Sequence, residues 1–337
     1  MQKTQRINWI DWAKAAAVTT VVFCHLPQSQ DWFYYRYLQS CIITIFFFLS
    51  GYLKKDRGSA KDNWSKYWHS LVIPYFLYNL LIYPFWIIRF YLQNGGLPNL
   101  AEAMKPVIGT LLLQSESSIS VPLDGPLWYL PAILFMHLLI DFLRNKRSFQ
   151  AIMTLLCALS VVLYGANKLY GFAPYLTVMG IFRRLPYFYL GYVLRQKQLF
   201  GNVNRNHDAI GFLGCFALSL LTFYWHLHED VFALHILLFY PVNFLFLFGV
   251  LYGSKLLNSH SPKWMVNLSV GTLVIIGLHV VLISGANYVI GKLTDSQAGI
   301  TYHWYEALPV ALLIVLTLYP IILFGKRYCP TLLGRGK

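Results

Sequence analysis

Ten stretches of this chain are apolar for long enough to cross a bilayer, and no other feature constrains its fold so strongly. A spanning helix needs about 20 mostly apolar residues. Such stretches fall at roughly 9–26, 38–53, 71–92, 126–143, 149–166, 181–195, 209–226, 233–253, 266–290 and 305–324. Charged residues make up 12% of the 337 and mean hydropathy is +0.51, whereas a water-soluble domain carries roughly twice that charge. No soluble core could enclose so many apolar runs, so the bilayer is the solvent. The expected fold is an all-α polytopic membrane protein, a bundle of about ten transmembrane helices, with 1–337 as one integral membrane domain. The apolar stretch 103–114 is short and reads as interfacial. No soluble domain, long linker, low-complexity tract or internal repeat is visible. The first run, starting near Trp9, lacks a small-residue cleavage site and is expected to be retained.

The net charge of +14 would suggest nucleic acid in a soluble protein. Here the basic residues sit in short loops between apolar runs, so the partner they imply is the membrane surface, and no nucleic acid is expected. Loops reading KKDRGSAKDNWSK (54–66), RNKR (144–147), RQKQLFGNVNRN (195–206) and GSKLLNSHSPK (253–263) hold most of them, with the tail from 325 and with Lys3 and Arg6. The intervening loops, such as HLPQSQDWFYYR (25–36), LHEDV (227–231) and 93–125, are poor in Lys and Arg. An even number of spans with this alternation places both termini on the cytoplasmic side. The five cysteines (24, 41, 157, 215, 329) show no paired or metal spacing and read as small apolar side chains. His226, His228 and Glu229 are close in sequence, but a loop at a span end explains them better than a metal, and no metal is expected.

Charge inside a membrane helix is costly unless it is paired, hydrated or used. The first span, RINWIDWAKAAAVTTVVFCHL, carries Asp11, Lys14 and His25. Eleven helical residues turn through about 1100°, only about 20° beyond three full turns, so Lys14 and His25 share a face about 16 Å apart along the axis. Asp11 lies one turn before Lys14 and can pair with it. Either this stripe does chemistry, or Asp11 and Lys14 are interfacial anchors and His25 an edge residue.

The segment IDWAKAAAVTTVVFCH resembles the opening of the acyltransferase 3 family of membrane O-acyltransferases, in which a basic residue, ten residues and a His follow one another; here Lys14 stands where Arg is commoner. FFFLSGYLKK (46–55) is similar to that family's Phe-rich Ser-Gly-aromatic segment. IPYF from Ile73, GPLWYLPAILFMHLL from Gly125, RRLPYFYLGYVLR from Arg183 and LVIIGLH ending at His279 resemble its later landmarks, in order. The basic pair often found before the third helix is here Lys66 and His69. Among members, the chain resembles the short, membrane-only type that includes enterobacterial-common-antigen and fucose O-acetyltransferases.

The resemblance implies an acetyl-CoA-dependent O-acyltransferase in a bacterial inner membrane, acting on a hydroxyl of a sugar or of a surface or lipid-linked glycan. His25 is then the general base, with Lys14 and Asp11 as its charged companions. By helix direction, His279, Trp128, Tyr129, Arg183, Arg184 and Glu306 fall toward the outer side, as does Arg89, and an outward-opening acceptor pocket is expected there. Trp128 or Tyr129 would stack on a sugar ring. Plainer roles stay open: lipid-phosphate contact for the arginine pair, a belt position for Trp128 and a buried hydrogen-bonded ring for His279. Lys54, Lys55, Arg57 and Lys66 on an inner loop would hold the phosphates of the donor, or simply set topology. Glu116 and Asp124 could bind a substrate hydroxyl or be solvated charges. Ser50-Gly51 lacks the strand-turn-helix setting of a nucleophile elbow. The alternative to an enzyme is a transporter or exporter of such a glycan, although the absence of repeats speaks against one. Oligomeric state is left open.

Overall fold

In the computed structural model, residues 7–55, 60–171, 176–198, 200, 204–293 and 300–335 are described. Seven helices among them are long and apolar enough to cross a membrane: Asn63–Asn94 (α4), Gly125–Leu143 (α6 with its lead-in turn), Phe149–Tyr170 (α7), Arg205–Leu227 (α9), Phe232–Leu256 (α10), Thr272–Leu293 (α12) and Trp304–Arg327 (α13). The short helices among them are Phe33–Cys41 (α2), Thr44–Tyr52 (α3), Leu100–Leu111 (α5) and Lys263–Val270 (α11). The fold is all-α and multi-pass.

Three expected spans depart from that standard for separate physical reasons. The segment 9–26 is an 18-residue helix, Asn8–His25 (α1), whose hydropathy is diluted by Asn8, Asp11, Lys14 and His25. Most of its residues are buried by α10, α11, α12 and α13. A helix surrounded by protein need not be apolar on every side. The segment 38–53 is split between α2 and α3, each of 9 residues. Ile42 and Ile43 keep right-handed helical angles between them. The amides of Ile45 and Phe46 reach back only three residues, to Ile42 and Ile43, which tightens the chain there. Just past that turn, Thr44 Oγ1 donates to Asn243 Oδ1 on α10 (2.7 Å). The third, 181–195, lies within Leu176–Gln196 (α8) and contains Arg183, Arg184 and Arg195.

Glycines set the closest helix crossing. A Cβ built on Gly51 of α3 would lie 2.0 Å from the carbonyl oxygen of Phe188 on α8, and one on Gly191 would lie 2.2 Å from that of Phe48. The obstacles are backbone, which cannot rotate aside. Gly51→Ala or Gly191→Ala is therefore expected to force α3 and α8 apart and cost about 1–3 kcal/mol, read as a lower melting temperature in detergent. An unchanged melt would show that the crossing is not this tight.

The start of α1 is held by a loop distant in sequence. Asn8 Nδ2 donates to the Asn258 carbonyl (3.0 Å), Asn258 Oδ1 accepts the Trp9 amide (3.1 Å), and Trp12 Nε1 donates to the His260 carbonyl (2.7 Å). The first amides of a helix have no partner within it, and Asn258 supplies one from outside.

Candidate active site

α1 stops where its sequence makes it stop. Leu26 precedes a proline and is extended (φ −67°, ψ 138°), as the proline ring requires of its neighbour, so His25 is the last helical residue. The final carbonyls of the helix are then capped: Phe23 O accepts Gln28 Nε2 (2.8 Å) and Cys24 O accepts the Tyr35 hydroxyl (3.0 Å). Pro27 O accepts the amide of Tyr302, just before α13 (2.8 Å). His25 thus stands on a rigid terminus, and its ring is exposed.

The nearest notable partner of that ring is His279. The two ring centroids are 4.7 Å apart at 77°, an edge-to-face pair. His279 lies in the middle of α12 and is fully buried. Its Nδ1 is 2.8 Å from Ile275 O and 3.0 Å from Ile276 O, while His25 Nδ1 is 2.8 Å from Val21 O. A carbonyl oxygen only accepts, which assigns a proton to Nδ1 in both rings. In the neutral rings both Nε2 atoms are then bare acceptors, and His279 Nε2 is buried with no hydrogen-bond partner. The expected alternatives for His279 thus converge: it is buried and hydrogen-bonded, yet it is also in contact with His25.

On the same helix, Asp11 is buried and accepts a hydrogen bond from Ser269 Oγ (2.5 Å), while Lys14 is half-buried. Thr19 and Thr20 spend their hydroxyls on the carbonyls of Ala15 and Ala16. Neither threonine is therefore poised as a nucleophile.

The expected single acceptor pocket is dispersed in the structure. Arg183 and Arg184 are enclosed by protein: both guanidiniums lie over the ring of Phe239 (4.7 and 5.2 Å), Arg183 also over Tyr164 (5.1 Å), and Arg184 Nη2 donates to Ser40 O (3.0 Å). Their place in an aromatic box explains how two cations persist in an apolar segment. Arg183 Nε and Arg184 Nη1 remain buried without partners. Trp128 is stacked on Phe47 (5.8 Å, 23°) and fits against Gly180, so one ring face is already occupied. Tyr129 packs edge-on to Phe46 and Phe47. Glu306 is exposed and closes a capping box at the start of α13, accepting the His303 amide (2.8 Å).

The basic residues of the 54–66 loop differ among themselves. Lys54 is buried, with Nζ 2.7 Å from Asp141 Oδ1 and 2.8 Å from the Tyr67 hydroxyl, so its charge is engaged inside the bundle. Lys55 is half-buried and Lys66 exposed; Arg57 lies outside the described residues. Asp141 also accepts from Tyr67 and Asn63, and beside this network Ser50 Oγ meets His137 Nε2 at 2.9 Å. Sequence reasoning did not find this cluster, whose members come from α3 and the residues just past it, and from α4 and α6.

A cavity of about 800 Å³ lies between α4 and α12. Its walls include Arg89, Asp124 and Lys292, of which only Arg89 was assigned to the pocket. Asp124 is 2% exposed, not solvated, and neither carboxylate oxygen has a hydrogen-bond partner. The signal for Lys292 was available: like Arg89, it is a lone cation at the Lys-poor end of its span. Among the described residues no group of three or more His, Cys, Asp or Glu is arranged to hold a metal.

An exposed imidazole with a bare Nε2 on a rigid helix end can take a proton from a hydroxyl, which is what acyl transfer to an alcohol requires. A family model for an acyltransferase domain matches residues 7–326. Neither a curated relative nor a solved structure matches the chain. With nearly its whole length covered, and with the motifs around Lys14, His25 and His279 in their places within it, the chain belongs to the acyltransferase 3 family of membrane acyltransferases.

Proposed function

We propose that the protein transfers an acetyl group from cytoplasmic acetyl-CoA to a hydroxyl of a sugar or glycan, with His25 as the general base. The observation that carries this reading is the exposed His25 ring, its Nδ1 committed to Val21 O and its Nε2 left free. Nε2 takes the acceptor's hydroxyl proton as the oxygen attacks the thioester carbonyl. The C–S bond then breaks, and the imidazolium returns the proton to the departing thiolate. His279 supports the plane of His25 by edge contact, and its own Nε2 makes no hydrogen bond.

The basic loops favour a cytoplasmic position for both termini. On that orientation the donor enters beside Lys55, Arg57 and Lys66, and its pantetheine arm runs along α1 toward His25. Lys14 is about 16 Å short of His25 on the same face, too far to touch the reacting atoms and placed instead for the donor's phosphates. Lys14→Met is expected to raise KM for acetyl-CoA roughly tenfold, with Lys14→Arg restoring it. An unchanged KM would remove Lys14 from the donor site.

The reaction is tested with radiolabelled acetyl-CoA and membranes containing or lacking the protein, supplied with extracted glycans. Alkali-labile label in the glycan, dependent on the protein, is the expected result. Folded protein that labels none of a range of acceptors would favour export of a glycan instead.

A further inference from the structure

The cavity between α4 and α12 is separate from the histidine pair. At 100° per residue, its α12 residues Val280, Ser284, Asn287 and Tyr288 fall about 80–180° around the helix from His279. It is also amphiphilic along its length. Ile82, Phe85 and Val281 lie deeper, and Phe85 and Ile88 are exposed as lipid-facing residues would be. Arg89 comes about one to two turns after Ile82 and Phe85, and Lys292 about three turns after Val281, toward the ends of these helices. Two cations share this mouth with a single acid, Asp124, whose buried carboxyl is raised well above the ordinary carboxylate range by desolvation. The neutral form is thereby favoured, which leaves the mouth net positive and gives Asp124 both a donor and an acceptor to offer. A buried carboxyl with no protein partner is costly unless a ligand satisfies it.

We propose that this cavity binds the lipid-linked form of the acceptor: a lipid phosphate bearing a sugar. The phosphate lies between Arg89 and Lys292, the hydrocarbon tail runs along Ile82, Phe85 and Ile88 into the bilayer, and Asp124 hydrogen-bonds a sugar hydroxyl. The assignment rests on the proposed carbohydrate acceptor and adds its anchor. Tyr302 links the anchor site to the reaction site, since its hydroxyl donates to Asn287 Oδ1 in the cavity wall (2.8 Å) and its amide to Pro27 O, two residues past His25. A glycan held by its lipid in the cavity has that short path to the base.

The test is binding of a radiolabelled polyprenyl-phosphate monosaccharide to the full-length protein in phosphatidylcholine nanodiscs, with no acyl donor present. Arg89→Ala and Lys292→Ala are each expected to weaken binding at least about tenfold; both residues are exposed, so the variants keep their fold. Asp124→Asn should abolish the preference for the sugar-bearing lipid over bare polyprenyl phosphate. The water-soluble sugar phosphate should compete weakly. Binding insensitive to Arg89 and Lys292, or phosphatidylglycerol competing as well as the sugar lipid, would overturn the assignment. Charge-dependent sugar-lipid binding by a protein that transfers no acetyl group would leave the cavity assigned and remove the proposed reaction. Acetyl transfer without such binding would do the reverse.

Discussion

His25→Ala is expected to lower acyl transfer by about 10²–10⁴-fold, the usual contribution of a positioned general base, while the protein still folds. The residue is exposed and its ring hydrogen-bonds to its own helix, so its removal opens no core cavity. Folding is checked by the melting temperature, which should move little. His25→Gln keeps a polar side chain but cannot take the proton, and should fall with alanine. His279→Ala is a different case, since it empties a fully buried site and should lower the melting temperature as well as the rate. If His25→Ala retained transfer within a few-fold of wild type, the proton would have to go elsewhere and the proposed mechanism would fall.

The largest loss of stability is expected at Asp141. Its carboxylate lies 2.7 Å from Lys54 Nζ, 2.7 Å from the Tyr67 hydroxyl and 3.2 Å from Asn63 Nδ2, and the Lys54 side chain is 1% exposed. Asp141→Ala takes from that ammonium the carboxylate 2.7 Å away, and breaking one half of a buried ion pair costs about 3–5 kcal/mol. The measurement is the thermal melt of the detergent-purified protein. Because the buried ammonium keeps its desolvation cost after this carboxylate is removed, Lys54→Met added to Asp141→Ala should recover much of the loss. Equal instability of the single and double variants would show that packing, not charge, is at fault.

Fold class was legible in the length of the apolar runs, the family in an ordered set of short motifs, and the shared face of Lys14 and His25 in the rotation of one helix. The bends and contacts were less so. The turn at Ile42 and Ile43 occurs in an unbroken apolar stretch and coincides with a hydrogen bond from Thr44 to Asn243, two hundred residues on. Arg183 and Arg184 were expected at an open pocket by their position along a helix, but position does not reveal that Phe239 and Tyr164 close around them. Trp128 was expected to stack on a sugar ring, and the sequence does not reveal that Phe47 covers one of its faces. Asp124 read equally as a solvated charge, since burial of a loop residue depends on elements that the loop itself does not contain.

The tether between α1 and the Asn258–His260 loop has a consequence for biogenesis. α1 is synthesised before the other described helices and is one of the least apolar, and its Trp9 amide and buried Asp11 carboxylate bond to Asn258 and Ser269. Until the ribosome has passed those residues, the helix that carries His25 lacks these two hydrogen bonds. The tether that fixes the start of the His25 helix is therefore completed only late in synthesis, and the reactive centre with it.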